Sequence, residues 1–400
     1  MMTRRCIGFL AACVLLLAPA AGAVAAEGIQ LGPTLLYPAL DVKAAYDDNF
    51  FLASANPDSG WEMTFSPSLR LKLPVNRFYL EASGGLDFIT YLDIEEDNQE
   101  DWFVGGAVGA DFPGGLGFKV ADTLTQRYLT ATQEFGAGED YSENVLTATV
   151  GYAVRSALRL ELSGNRTAVA YEVSLDRERV ETTLQADLYW KFRPALSVIF
   201  EGSYADFAYD SNTAQDSSET EVTFGLSWDV TARSRGFAKA GYEWKRYDAQ
   251  DPSLGTEDAG YYTLSGGLRY FITPRSVIVL DLSRASQESD FQENPYFLQT
   301  KVAANFAQRM TPKTFFRLSA SYTNDDYPNA TSYDNPYDPR SGLQSGKRTD
   351  TTLIAGVSLG FDMTRWLALE LGYEGEWRNS TFDTFDYNAN RVTLSAKAAF

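Results

Sequence analysis

The 400-residue chain contains no histidine, and its only two cysteines, Cys6 and Cys13, lie close to the N-terminus. Without histidine there is no Ser-His-Asp or Cys-His nucleophile system and no His-ligated zinc. Beyond Cys13 there is no thiol, no disulfide and no thiolate metal site. No helical apolar stretch of spanning length follows residue 26. A carboxylate pair is the hydrolytic chemistry left open, and no segment argues for one. The expectation is a protein that is not an enzyme and needs no cofactor and no metal. Basic residues are also scarce: 34 Lys and Arg against 53 Asp and Glu give a net charge of −19. Such a chain repels phosphates, so nucleic acid is not an expected partner.

At the N-terminus, Arg4 and Arg5 precede an apolar run from Cys6 to Ala18, then Pro19 and small residues through Ala26. This is the pattern of a signal peptide, with an apolar core too short to span a bilayer. Residues 1–26 are therefore expected to be a leader and 27–400 the mature domain. Leu10-Ala11-Ala12-Cys13 superficially matches a lipoprotein box, but the apolar run continues past Cys13, as in an ordinary leader.

Phe400 closes a strict alternation. Ala398, Ala396, Leu394 and Val392 share its parity, and Ala399, Lys397, Ser395, Thr393 and Arg391 lie between them. That is a strand with one oily and one wet face. Such a strand suits a membrane barrel, whose last strand pairs with its first and meets lipid outside.

The same pattern recurs along the chain. Segments with period-two alternation fall at 39–46, 61–73, 78–91, 101–112, 116–128, 141–154, 158–171, 178–192, 196–209, 218–231, 235–247, 259–272, 276–287, 296–309, 314–327, 348–363, 367–380 and 387–400. Eighteen is an even number, as single-chain bacterial barrels require. The fold class is all-β: a single antiparallel transmembrane barrel. A string of secreted sandwiches fits less well, because the strands are too long and no linker divides the chain. Phe207 and Tyr209 fall on the wet parity of the ninth segment, which predicts a bulge or an exit from the membrane there.

Connections alternate in length. Short turns lie at 74–77, 113–115, 155–157, 193–195, 232–234, 273–275, 310–313 and 364–366, and several repeat one chemistry, as in Arg193-Pro194-Ala195, Thr273-Pro274-Arg275, Thr311-Pro312-Lys313 and Thr364-Arg365-Trp366. Longer loops occupy 47–60, 92–100, 129–140, 172–177, 210–217, 248–258, 288–295, 328–347 and 381–386. This asymmetry places the short turns and both termini in the periplasm of a Gram-negative cell.

The long-loop rim is acidic, with Asp93, Glu95, Glu96, Asp97, Glu100 and Asp101, then Asp248, Asp251, Glu257 and Asp258, then Glu288, Asp290 and Glu293. Divalent cations bridging to lipopolysaccharide and a merely solvated rim both fit. Wet-face positions carry both signs. The expected lumen-lining set is Arg70, Arg159, Arg269 and Arg317 against Glu81, Glu161, Glu201 and Glu370. Such rows create a field across a pore or close on one another as salt bridges. Tyr79, Tyr91, Tyr189, Tyr261 and Phe271 share the wet face and offer rings to sugars, or fill the lumen.

Tyr46-Asp47-Asp48-Asn49 closes the first segment. With the repeated turns, the eighteen strands and the terminal Phe400, it resembles the outer-membrane β-barrel porins grouped as type two. The resemblance implies an outer-membrane conduit associated with exopolysaccharide synthesis and export. It implies as partners the outer-membrane lipid and lipopolysaccharide, the barrel-assembly machinery reading Phe400, and periplasmic polysaccharide-export proteins. A general or solute-selective porin, and a plugged structural barrel that anchors a surface assembly, are the alternatives.

Overall fold

The alternation read along the chain becomes a closed wall. The computed structural model describes residues 28–400 except 93–97, 130–138, 156, 232, 252–253, 292–293 and 334–343. Residues 1–26, expected as a leader, and the acidic run Asp93–Asp97 thus lie outside the described residues. The chain forms β1 (Ile29–Leu31), β2 (Thr34–Asp47), β3 (Gly60–Val75), β4 (Phe78–Tyr91), β5 (Gln99–Asp111), β6 (Leu116–Leu129), β7 (Glu139–Arg155), β8 (Leu158–Tyr171), β9 (Arg179–Arg193) and β10 (Leu196–Tyr209). It continues with β11 (Ser217–Thr231), β12 (Ser234–Tyr247), β13 (Ala259–Thr273), β14 (Ser276–Phe291), β15 (Asn294–Arg309), β16 (Thr314–Tyr333), β17 (Gln344–Asp362), β18 (Leu367–Ser380) and β19 (Tyr387–Ala399). Strands β2 to β19 are the eighteen expected. Each pairs antiparallel with its sequence neighbours, and β19 returns to β2 from Arg391↔Asp47 to Ala399↔Ala39.

The extra strand was not anticipated. β19 ends opposite Ala39, so the first residues of β2 would lack a partner on that side. β1 turns back at Gly32 and Pro33 and pairs Ile29↔Leu36, covering that edge.

The barrel is inside-out relative to a soluble protein. Leu184, Val222, Phe224, Leu226, Leu353, Leu359 and Leu394 are exposed on its outer face, while Asp187, Thr223, Glu243, Lys245, Thr263, Asp350 and Thr352 are buried inside. Exposed Phe78, Trp190, Phe192, Tyr270, Phe361 and Trp366 girdle the turn-side end, and Trp61, Tyr204, Trp244, Tyr262, Tyr322 and Tyr373 the loop-side end. Two aromatic girdles flanking an apolar band mark a membrane-spanning barrel.

Three local expectations are corrected. The β9–β10 ladder runs unbroken from Ser197↔Lys191 to Tyr209↔Arg179, so of the bulge or membrane exit expected at Phe207 and Tyr209 the bulge is absent, and both side chains point inward at the loop-side end. The loop expected at 328–347 is partly strand: β16 and β17 continue to Tyr333↔Gln344, with a register shift between Asp326 and Ala330. The loop expected at 288–295 is mostly hairpin, since β14 and β15 pair to Phe291↔Asn294.

Several rim carboxylates act as strand terminators. The backbone N–H of Tyr171, Tyr209, Tyr247 and Ser380 each donates to an acid just before the next strand: Glu178 (3.3 Å), Asp216 (2.7 Å), Asp258 (3.2 Å) and Asp386 (2.5 Å). A short acidic side chain satisfies the last free donor of a strand. Part of the acidic rim is therefore turn chemistry. Among the described residues, no group of three carboxylates stands close enough to hold a metal ion.

Candidate functional site

The eight charged residues expected in the lumen all take the inward parity, in the turn-side half of the barrel. Arg317 on β16 forms a two-pronged pair with Glu370 on β18, at 2.6 and 2.7 Å, reaching past Ser358 of β17, which also donates to Glu370. Arg159 and Glu161 pair along β8. Glu81 holds Lys72 at 3.0 Å, and Glu201 holds Lys239 at 2.7 Å. Lys239 lies on β12 and Glu201 on β10, so the lysine crosses β11 at Gly225, where a Cβ would sit 2.6 Å from its Cγ. Only a glycine lets that stem pass. Among the described residues Arg70 and Arg269 stand in no ion pair; their guanidiniums lie over Tyr37 (4.6 Å) and Phe271 (5.3 Å).

The rings show how this wall is built. Tyr79 lies directly opposite Gly109, Phe237 opposite Gly267 and Phe315 opposite Gly360. A Cβ on any of these glycines would strike the ring, at 2.4, 2.8 and 1.9 Å respectively. Each ring is thus laid flat along the wall over a glycine, a pairing that fills the space a missing side chain leaves. A cation then covers each ring: Lys72 over Tyr79 (5.6 Å), Lys239 over Phe237 (5.9 Å) and Arg317 over Phe315 (4.2 Å). Arg159 lies 5.9 Å from the Tyr189 ring. Ring, cation and glutamate therefore recur as one module four times around the wall.

Three of the four cations, Lys72, Arg159 and Arg317, remain wet, while Lys239 is mostly covered. Arg159 and Arg317 are 60% and 52% exposed although they face inward, which marks this half of the lumen as open to water. A cavity of ≈ 510 Å³ walled by Arg275, Arg309, Arg317, Glu370 and Lys397 lies at the turn-side rim. Charge nearly balances along the wall, because Asp187 stands beside Glu161 and Glu201 and adds a fifth carboxylate to the four glutamates.

The loop-side half differs. Lys245, Asp350 and Arg378 are wholly buried there, in ion pairs with Glu219 (3.0 Å) and Glu288 and with one another. Tyr261, expected to offer its ring, is buried against Tyr296 and donates to Glu243 at 2.7 Å. Tyr91 meets Phe50 edge-on at 5.4 Å and donates to Gln99. The faces of Tyr79, Tyr189 and Phe271 are shared with cations. Sequence parity pointed to the charges but missed Tyr37, Phe237 and Phe315 as their platforms. The aromatic-opposite-glycine pairs are visible only once the register is known.

The motif Tyr46-Asp47-Asp48-Asn49 lies at the seam where the barrel closes. Asp48 accepts from both the backbone N–H (2.6 Å) and side-chain amide (2.8 Å) of Asn390 on β19. Asn49 donates to the carbonyls of Ala53 (2.9 Å) and Asn388 (3.0 Å), and Asp47 faces Arg391 at 3.6 Å. Tyr46 turns outward against Trp61, with ring centroids 5.5 Å apart. At the other end of the seam Phe400 donates its N–H to Pro38 and stacks on Trp366 at 5.5 Å.

Solved outer-membrane proteins share this fold. The structure of OpdK from Pseudomonas aeruginosa with vanillate superposes with a TM-score of 0.51 at 11% identity, covering 91% of this chain and 99% of that one. OccK1 (OpdK) of the same organism gives 0.50 at 12% identity over the same shares. The copper transporter OprC gives 0.52 at 10% identity, covering 90% of this chain and 64% of its own. No curated protein matches the chain. The family described as putative beta-barrel porin 2 matches residues 22–400, and the chain belongs to that family of outer-membrane β-barrel porins.

Proposed function

We propose that this porin is a passive conduit for exopolysaccharide, carrying polymer outward with no catalysis in the barrel. The observation that carries the reading is the turn-side wall, with flat rings each capped by a cation and each cation balanced by a glutamate. A hydrated polymer needs a wall that is polar, holds water and grips nowhere strongly, since conduction fails when binding is too tight to leave. Near-balanced charge on exposed side chains supplies this. In this reading the short turns and both termini face the periplasm, where export proteins deliver polymer, and the barrel-assembly machinery reads Phe400. The loop rim faces lipopolysaccharide.

The second reading is a small-solute porin, favoured by the filled loop-side half of the lumen. A deletion strain separates the two. Loss of extracellular polysaccharide, restored by the intact gene, supports the conduit. Normal polysaccharide with slowed uptake of a small solute supports the porin. Orientation has its own check: a protease site inserted within 335–342 is cut on intact cells and one at 274–275 is not. The reverse result would overturn the assignment of sides.

A further inference from the structure

One hairpin leaves the wall. The β12–β13 ladder continues to Lys245↔Ala259, but the β13–β14 ladder stops at Leu264↔Arg284. Beyond that point Ala259–Thr263 of β13 have no ladder partner on the β14 side. On the other flank the β15–β16 ladder stops at Leu298↔Asp326. Beyond these limits Ala285–Phe291 of β14 pair with β15 alone and Asn294–Phe297 of β15 with β14 alone, the hairpin running to Phe291↔Asn294 after a register shift past Glu288↔Tyr296. The β14 arm of this flap is seven residues long, or about 23 Å, and the β15 arm four.

The flap lies on the inner face of the barrel. Ser286 donates to Glu243 on β12 (2.7 Å) and to Glu219 on β11 (3.0 Å). Glu288 accepts from Tyr209 on β10 (2.7 Å) and from the buried Lys245 on β12. Tyr296 stacks on Tyr261 of β13 at 5.9 Å. All five wall residues take the inward parity. The contacts span β10 to β13, about 14 Å of circumference at the usual strand spacing. The other side of the flap meets the β16 extension, where Phe297 packs on Tyr327 at 5.1 Å and Asn294 exchanges two hydrogen bonds with Asn329.

We infer that the β14–β15 flap is the gate of this channel, latched shut by Glu288 on Lys245 and Tyr209. The sequence offers it a second place. Continuing the existing register would set Thr263 opposite Ala285, Tyr262 opposite Ser286 and Tyr261 opposite Gln287, restoring the ladder and clearing the inner face. The closed state exchanges those backbone bonds for the latch. The latch is ionic and polar, and desolvation offsets much of what a buried ion pair gains. Tyr296 adds packing against Tyr247 and Tyr261 to this hold, but between the flap and the β10–β13 wall the latch replaces a ladder. A flap with two competing sets of bonds is a bistable element whose populations a small bias shifts. The inference concerns conduction by any small ion and stands whether or not the cargo is a polysaccharide.

The test uses the full-length barrel in a planar bilayer with potassium chloride as the probe. Beyond Cys13 the chain has no cysteine, so in the barrel of residues 27–400 Ser286→Cys with Glu243→Cys gives a single bridgeable pair. Bridged by oxidation or a short bifunctional thiol reagent, the channel is expected to hold one low conductance, rising several-fold on reduction. Glu288→Gln with Lys245→Met should raise the open fraction without any reagent. Equal conductance before and after reduction would overturn the gate. So would a pair that fails to bridge in barrels shown folded by their electrophoretic mobility, because the flap would then not occupy the inner wall.

Discussion

Asp48 holds Asn390 with both of its carboxylate oxygens, one on the backbone N–H and one on the side-chain amide. The two residues stand at opposite ends of the chain and meet where the first barrel strand closes on the last. A ladder supplies register only as far as it runs, and β2–β19 stops at Arg391↔Asp47. Asp48 and Asn49 carry the pairing past that point. A short acid and an amide at a strand exit are common turn chemistry. Here they form a clasp across the seam.

Asp48→Ala is therefore expected to destabilise the closed barrel by about 1.5–3 kcal/mol, the range for hydrogen bonds to a charged group. Urea titration of the protein folded in detergent, read by the heat-modifiable mobility shift, measures it. Asp48→Asn should lose less, because one acceptor oxygen remains. Equal midpoints for all three proteins would remove the clasp from the account of closure.

Phe400 fastens the other end of the seam. Its stacking on Trp366 is worth about 0.5–1.5 kcal/mol beyond area burial. We expect Phe400→Asp and deletion of Phe400 to lower outer-membrane levels and raise periplasmic degradation. Trp366→Ala should lower stability of the purified barrel while leaving delivery intact. If Trp366→Ala reproduces the whole defect, the role of Phe400 is packing and not recognition by the assembly machinery.

The outer face makes a sharper test of parity. Leu226 and Leu359 are exposed to lipid. Arginine at either should cost about 2–4 kcal/mol if the site is near the bilayer midplane. Ser227, one residue from Leu226 and facing the lumen, should accept arginine. Ser358 should not accept it as easily, because it hydrogen-bonds Glu370 beside Arg317. Denaturation midpoints of the four variants give the order. A tolerant Leu226 with an intolerant Ser227 would invert inside and outside.

Strand number, closure and facing were legible because alternation is the direct imprint of a wall with lipid on one side and water on the other. The signal fails where that asymmetry fails. From Glu288 to Asn294 the hairpin meets polar groups, Glu288 with Lys245 and Tyr209 and Asn294 with Asn329, so no alternation marks the strand and the stretch reads as loop. The β16 extension beyond Tyr327 was hidden for the same reason. β1 is three residues long, too short for any period. Among the lumen residues, parity gave Arg317 and Glu370 their common face, but not their contact, which depends on a register across two intervening ladders. One of the two glutamate partners of Lys245 lies forty-three positions away on a strand that left the wall.

The unpaired arginines give the last prediction. Arg317 and Arg159 are neutralised by Glu370 and Glu161, whereas Arg70 and Arg269 lie over rings that leave their charge intact. Charge at a pore wall acts on passing ions through the local field. Arg70→Glu with Arg269→Glu should therefore turn the reversal potential in a salt gradient toward cations. Arg317→Gln should shift it less in the same direction, because it frees one Glu370 charge without adding another. If the lumen carries polymer, the double reversal should also reduce surface polysaccharide at unchanged barrel abundance, since two glutamates at the turn-side mouth would repel an acidic chain. A reversal potential that follows Arg317 and ignores Arg70 and Arg269 would mean that ions pass along the β16–β18 wall alone, and that the paired modules, not the free arginines, set selectivity.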